Sequence, residues 1–250
     1  MANTIKTCLL FTMIALALSA CSSTPPAPVE KNALYYFQSG EQEFEAGHHK
    51  KAIEQWQKVR DSFASPELTA LAELKIADTQ YAQEQYVEAI ASYEDFLKQH
   101  PSNIRKSDVL LRLGKSHFQL ILAADRDQTA TRNALNTFEQ LKKNFPGKIE
   151  AQELDSLIMQ CKTRLAENAA YIGNFYLKTK QYKAAIARLE QVRTTYPEFK
   201  EMGQVIYSLA QARQLNGETD KAIVLFNQID QFNDADLIKK AQKTRQNFNI

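Results

Sequence analysis

Three cysteines (Cys8, Cys21 and Cys161) and one adjacent histidine pair (His48-His49) are the side chains here best suited to nucleophilic or metal chemistry. A zinc site needs convergent N, S or O ligands. Neighbouring histidines in a turn face different ways, and no carboxylate or thiol stands at ligand spacing from this pair. It reads as a solvated turn. Asp125-Arg126-Asp127 offers two carboxylates without a histidine or cysteine in reach, and an aspartate there suits a helix cap instead. His100 and His117 stand alone. No glycine-rich phosphate loop, Gly-x-Ser-x-Gly elbow or HExxH helix occurs. The lysine pairs Lys50-Lys51, Lys142-Lys143 and Lys239-Lys240 are flanked by acids or scattered, as on solvated helix faces. The expectation is a protein that is not an enzyme, with no catalytic residue, no cofactor and no metal. With 31 cationic and 29 acidic residues the net charge is only +2, too balanced for a nucleic-acid binder.

Cysteine chemistry of another kind is written at the N-terminus. A lone Lys6 precedes an apolar stretch at 8–17, too short for the roughly 20 residues that cross a bilayer. It has the form of a signal peptide, expected at 1–20. Leu18-Ser19-Ala20-Cys21 resembles the lipobox of bacterial lipoproteins, in which cleavage exposes the cysteine for acylation. That resemblance makes Cys21 the expected lipidation site and the membrane an expected partner. Ser22, in place of Asp, resembles the residue that sends such lipoproteins on to the outer membrane. Residues 21–32 carry Ser22-Ser23-Thr24-Pro25-Pro26-Ala27-Pro28 and read as an extended tether of ~35 Å at most. With Cys8 removed and Cys21 acylated, Cys161 is the remaining thiol. Its apolar helical surroundings predict a buried, inert group.

The elements that follow are dictated by a repeat. Gly40, Ala77, Gly173 and Ala210 are each followed twelve places on by alanine: Ala52, Ala89, Ala185 and Ala222. Four places beyond come Trp56, Tyr93, Leu189 and Phe226, then Val59, Phe96, Val192 and Ile229 three further. A fifth copy keeps only the second half, as Ala134, Phe138 and Leu141. Proline closes three copies, at Pro101, Pro146 and Pro197. The 3–4 spacing marks amphipathic helices, and small residues let each pair approach closely. Ala46-Gly47, Glu84-Gln85, Thr179-Lys180 and Asn216-Gly217 are the predicted turns. Ser65 and Pro66 open the next helix as cap and first residue.

This unit resembles the tetratricopeptide repeat of about 34 residues. The fold class implied is all-α: an α-solenoid of about five helix-turn-helix repeats. Residues 33–146 would form an N-terminal half of units one to three, and 147–250 a C-terminal half of units four and five with a tail. Unit three is interrupted around 123–131.

An exported lipoprotein with five such units and this broken third one resembles the BamD/ComL family. The resemblance runs from Cys21 to about Phe232 and is most specific at Asp125-Arg126-Asp127, 133–146 and 165–197. It departs at Ser62-Phe63-Ala64-Ser65-Pro66-Glu67, where the family carries an aromatic-Pro-Phe-Gly-like turn, and its insertion in unit three is shorter. The family implies a lipid-anchored scaffold at the periplasmic face of the outer membrane, in the machine that folds and inserts β-barrels by non-covalent binding. Implied partners are a BamA-like barrel subunit, other Bam lipoproteins and unfolded barrel precursors. First helices of each unit line the inner groove in such arrays, which makes Phe37, Glu41 and Phe44 of unit one, and Leu74, Lys75, Asp78 and Tyr81 of unit two, the candidates for precursor binding. Core packing explains the same aromatics equally well. Arg188 falls where the family docks its partner machine. The rival readings are another repeat lipoprotein scaffolding cell-wall synthesis or division, and a peptidoglycan hydrolase, against which stands the missing acid pair.

Overall fold

The computed structural model describes residues 31–62 and 64–250. The signal peptide, Cys21 and most of the tether lie outside the described residues, as does Phe63. Every regular element among the described residues is helical, as the repeat requires. They are α1 (Ala33–Glu45), α2 (His49–Arg60), α3 (Pro66–Ala82), α4 (Tyr86–Gln99), α5 (Lys106–Gln119) and α6 (Thr129–Asn144). Then come α7 (Ala151–Lys178), α8 (Tyr182–Thr195), α9 (Met202–Leu215), α10 (Thr219–Gln228), a short 3₁₀ turn at Ile229–Gln231, and α11 (Ala235–Phe248). Each of α1 to α9 packs on the next in the chain, so five hairpins stack into a solenoid.

The hairpins form by close approach at one position. A β-carbon on Gly40 would overlap the Trp56 ring, and one on Gly173 would lie 2.7 Å from Leu189. Trp56, Tyr93, Leu189 and Phe226 are all buried across from those small residues. Unit three is a correction to the sequence reading, because its first half is present. Gly114 of α5 faces Phe138, and a β-carbon there would overlap that ring too. Gly114 lies 37 residues after Ala77, which lies 37 after Gly40. Ala134, however, lies 45 after Ala89, so the twelve-residue step from small residue to alanine is stretched by eight.

The added residues fall in the loop between α5 and α6, at 120–128, and Gln128 closes it. Only 2% exposed, its amide nitrogen donates to the Ala123 and Arg126 carbonyls at 2.9 and 3.1 Å, while its oxygen accepts from Thr131 at 2.7 Å. Asp127 accepts from the Thr129 amide at 2.8 Å. That bond, first, holds its carboxyl below the usual range. The aspartate expected to cap α6 therefore does support its first turn, from one place upstream of the Gln128 cap position.

The four hairpin turns share one geometry. In each, an amide bonds back three residues and the next amide bonds back five, as in Gly47 to Phe44 and His48 to Glu43. The residue at the bend has positive φ: Gly47 at 78° and Gly217 at 83°, but also Glu84 at 58° and Lys180 at 62°. A side chain in that region costs about 1–2 kcal/mol. Glycine also loosens the unfolded chain, which offsets part of the gain. Glu84→Gly and Lys180→Gly should each stabilise the protein by about 0.5–1 kcal/mol, and Gly217→Ala should destabilise it by a similar amount. Denaturant midpoints at constant slope check both signs.

One helix is out of scale. α7 has 28 residues, about 42 Å at 1.5 Å per residue. Its first half puts Leu154, Ile158 and Cys161 against Leu110, Phe138 and Leu141. Its second half puts Ala166 and Ala169 against Leu189, Val192 and α9. Ala185 lies 51 residues after Ala134 instead of 37, so α7 carries fourteen extra residues ahead of the repeat segment. The core is otherwise divided among the hairpins, with Ala52, Trp56, Val59 and Ala72 at one end and Phe226, Ile229, Leu237 and Ala241 at the other.

Candidate functional site

Two adjoining open recesses lie between α3 and α5 and the loop that joins α4 to α5. One compartment of about 450 Å³ is lined by Ala70, Leu71 and Leu74 of α3, Phe96 of α4, and Ser102 to Arg105. Above it stands Ile104, 95% exposed, a large apolar side chain with no packing of its own. Leu74 and Arg105 are shared with a second compartment of about 260 Å³ that adds Asp78, Asp108, Val109 and Arg112. The cleft thus has an apolar floor and a polar end of two arginines and two aspartates.

Asp78 organises that end. It accepts from the buried Tyr93 hydroxyl at 2.7 Å and pairs with Arg112, so three helices meet on one carboxylate. Burial, reinforced by Asp78, pushes the Tyr93 phenol far above its ordinary value. The hydrogen bond that Arg112 donates to Asp78, first, raises Arg112 still further, against the effect of its burial. Tyr93 therefore stays neutral and Arg112 stays cationic at any working pH.

The expected site residues are brought together in part. Glu41 and Lys75 pair at 2.9 Å between α1 and α3, with the Lys75 ammonium 5.9 Å from the centre of the Trp56 ring. Phe37 lies against the Trp56 cluster, half-buried. Phe44 stacks on the same tryptophan at 5.8 Å and on His49 at 5.2 Å. Tyr81 meets Tyr86 edge-on at 5.5 Å. Leu74 and Asp78 line the cleft; Phe37, Glu41, Phe44, Lys75 and Tyr81 surround the first two hairpins beside it. Arg188 is elsewhere, exposed on α8, with Gln191 at 3.3 Å.

Leu71, Ile104, Arg105, Asp108 and Arg112 were missed. A signal for one of them was available. Glu41 to Lys75 and Asp78 to Arg112 are both opposite charges 34 residues apart, one helical turn short of the 37-residue step between successive first helices, which is where neighbouring inner faces meet. Ile104 carries no such signal, because its exposure depends on how a loop is held.

The other reactive groups are occupied or enclosed. His48 bonds Glu43 at 2.8 Å while His49 faces Phe44, so the pair diverges as a turn requires. His100 bonds Glu73 at 2.7 Å. Burial lowers His117 against the pull of Glu94. Cys161 is fully buried, and that burial pushes its thiol to about 12, which leaves it unreactive. Among the described residues no three histidines, cysteines or carboxylates gather as a metal site, and no helix is long and apolar enough to cross a membrane.

Stacked helical hairpins of this geometry define an α-solenoid of the tetratricopeptide class, with an open, mixed cleft on its N-terminal units. The family model described as YfiO, outer membrane lipoprotein, matches residues 29–225, and the chain belongs to that family. A curated relative from Rickettsia prowazekii (strain Madrid E), the outer membrane protein assembly factor BamD, is 30% identical over 174 residues, 70% of this chain and 69% of the relative. The protein of that name from Vibrio cholerae serotype O1 is 24% identical over 232 residues, 88% of this chain and 96% of its own. Among solved structures, the TPR2AB domain in the pHSP90 complex of yeast Sti1 is similar with a TM-score of 0.42 at 15% identity, over 79% of this chain and 76% of that one.

Proposed function

We propose that this protein is a scaffold of the β-barrel assembly machinery, held by lipid on Cys21 at the periplasmic face of the outer membrane, and that it aids folding and insertion of barrel proteins by non-covalent binding. The observation that carries this reading is the family match across 29–225, together with relatives named as outer membrane protein assembly factor BamD over most of their length. In this reading the cleft between α3 and α5 receives extended segments of unfolded precursors. An apolar side chain would enter between Leu71, Leu74 and Ile104, and backbone amides and carbonyls would meet the Asp78–Arg112 end. The C-terminal hairpins, with Arg188, would fix the barrel subunit's periplasmic domains and other lipoproteins of the machine.

Depletion is the first test. Levels of outer-membrane barrels should fall as the protein is removed; normal levels would overturn the assignment, as would recovery from membranes of a cell-wall enzyme in place of a barrel subunit. Mass spectrometry of the mature chain should find an acylated Cys21 at the N-terminus. Ile104→Glu tests the cleft without disturbing the fold, since that side chain is almost wholly exposed. Losing one desolvated apolar contact should weaken precursor binding by about tenfold, the equivalent of ~1.4 kcal/mol. Fluorescence titration with a labelled precursor peptide measures it, and unchanged affinity would remove the cleft from the proposal.

A further inference from the structure

The side of α7 between Asn168 and Lys178 carries an exposed aromatic pair, one member of which stands at a position that every other internal unit buries. In a stacked array, the first helix of each hairpin is covered on its far side by the second helix of the hairpin before it: α2 covers α3, α4 covers α5 and α8 covers α9. The position two residues after the small hairpin residue shows this. It is Thr79 in α3, Ser116 in α5 and Ala212 in α9, at 2%, 0% and 0% exposure. In α7 it is Phe175, 51% exposed, with Tyr171 at 52% one turn before it.

The fourteen extra residues explain the difference. α6 packs on that added N-terminal stretch of α7, around Leu154, Ile158 and Cys161, and not on the repeat segment. The loop ahead of α6 reaches as far as Asn168, whose side-chain amide donates to the Ala124 carbonyl at 2.6 Å. Beyond it about ten residues of helix, ~15 Å, run on with one side exposed, at Tyr171, Asn174, Phe175 and Lys178. Solvent alone does not account for the residues found there. α1 has no hairpin before it, and its equivalent position is an exposed Gln42.

Charge selects what would fit. From Asn168 to Leu189 the chain holds Lys178, Lys180, Lys183 and Arg188 and no acidic residue. None of the four forms an ion pair among the described residues. Tyr171, Phe175 and Lys178 follow at steps of four and three, and so share one face of α7.

We propose that this face is a docking site for an acidic amphipathic helix of another protein, seated where the second helix of a preceding unit would lie. Apolar side chains of that helix would rest on Tyr171 and Phe175, and its carboxylates would meet Lys178 and Lys180. The site is separate from the α3–α5 cleft, so the two can be tested apart.

The test uses the full-length protein in its own membranes. A photo-reactive residue at Tyr171 or Phe175 should cross-link to one protein, and peptide mapping should place the adduct on an acidic helical segment. Lys178→Glu combined with Lys180→Glu should reduce that adduct at least tenfold, while the reverse change of acids to lysines in the mapped helix should restore it. Both lysines are exposed, so the helical circular-dichroism signal should stay unchanged. Adducts to phospholipid alone, to an extended or basic segment, or to nothing would overturn the proposal. So would an adduct indifferent to the lysine reversals. Ile104→Glu should leave the adduct intact, which keeps failure here distinct from failure of the cleft.

Discussion

Replacing Gly114 by alanine should destabilise the middle of the solenoid by about 2–3 kcal/mol, the upper part of the range for overpacking a dense core. Valine should prevent that hairpin from closing. The added β-carbon would occupy space held by the Phe138 ring, and Phe138 is fully buried with no free side to turn into. α5 and α6 would have to separate. That opens the cluster of Leu110, Leu141, Leu154 and Cys161, through which α7 joins the two ends of the array. In a stack where units touch only neighbours, losing an inner interface costs more than losing an end one. Gly40→Ala, made against Trp56 in the first hairpin, should therefore cost less than Gly114→Ala. Urea unfolding gives the totals, and hydrogen exchange should show protection lost first in α5 to α7. The mechanism has its own control: Phe138→Leu, harmful alone, should recover much of the stability lost in Gly114→Ala. No recovery would mean that the glycine acts through backbone conformation and not through the ring.

Arg213→Met should cost about 2–3 kcal/mol at neutral pH, less than the 3–5 kcal/mol of a fully enclosed pair because both carboxylates keep some water. Arg213 is 14% exposed and holds Glu190 and Glu218 at 2.6 Å each, tying α8 to α9 and to the turn before α10. Burial alone would raise Glu190, but hydrogen bonds from Arg213 and Arg193 outweigh it and hold the group below its ordinary value. Hydrogen bonds from Lys221 and Asn216 hold Glu218 at about 2. Groups depressed on folding stabilise above their unfolded values and lose that contribution as pH falls through the folded ones. The C-terminal hairpins should therefore weaken between the ordinary carboxyl value of 4.5 and about 2. Arg213→Met should flatten the part of this acid limb that Glu190 carries, while Lys221 and Asn216 keep the part carried by Glu218. Denaturant midpoints at neutral pH and at pH about 3 would show it; parallel acid limbs in the two proteins would contradict the account.

The paired helices could be read from the chain because each hairpin repeats a rule with a physical cause. A small residue faces a large one sixteen places on, and that contact survives in Gly40 with Trp56 and Gly173 with Leu189. The rule failed at Gly114 only because an eight-residue insertion lies between it and Phe138. Counting 37 from Ala77 along the first helices finds it directly. The turns were placed correctly, but Glu84 and Lys180 bend as glycines do, which composition does not announce. The cleft was hardest to see. Leu74 and Asp78 were in view, yet Ile104, Arg105 and Arg112 reach them from other elements, and a single-helix pattern carries no information about what lies across a groove. Only the ladder of opposite charges 34 apart crosses that gap.

The added stretch of α7 has one more consequence. Fourteen residues turn a helix through about 1400°, only some 40° short of four whole revolutions. The N-terminal hairpins are thereby set about 21 Å further along from the C-terminal ones with scarcely any rotation. An addition of nine would have swung them to the opposite side, through about 180°. α7 thus behaves as a spacer bar with preferred lengths. Adding or deleting seven residues in it should slide the two ends of the molecule apart or together while each keeps its aim, whereas a change of five, about 140° of net rotation, should turn one end away from whatever the other holds.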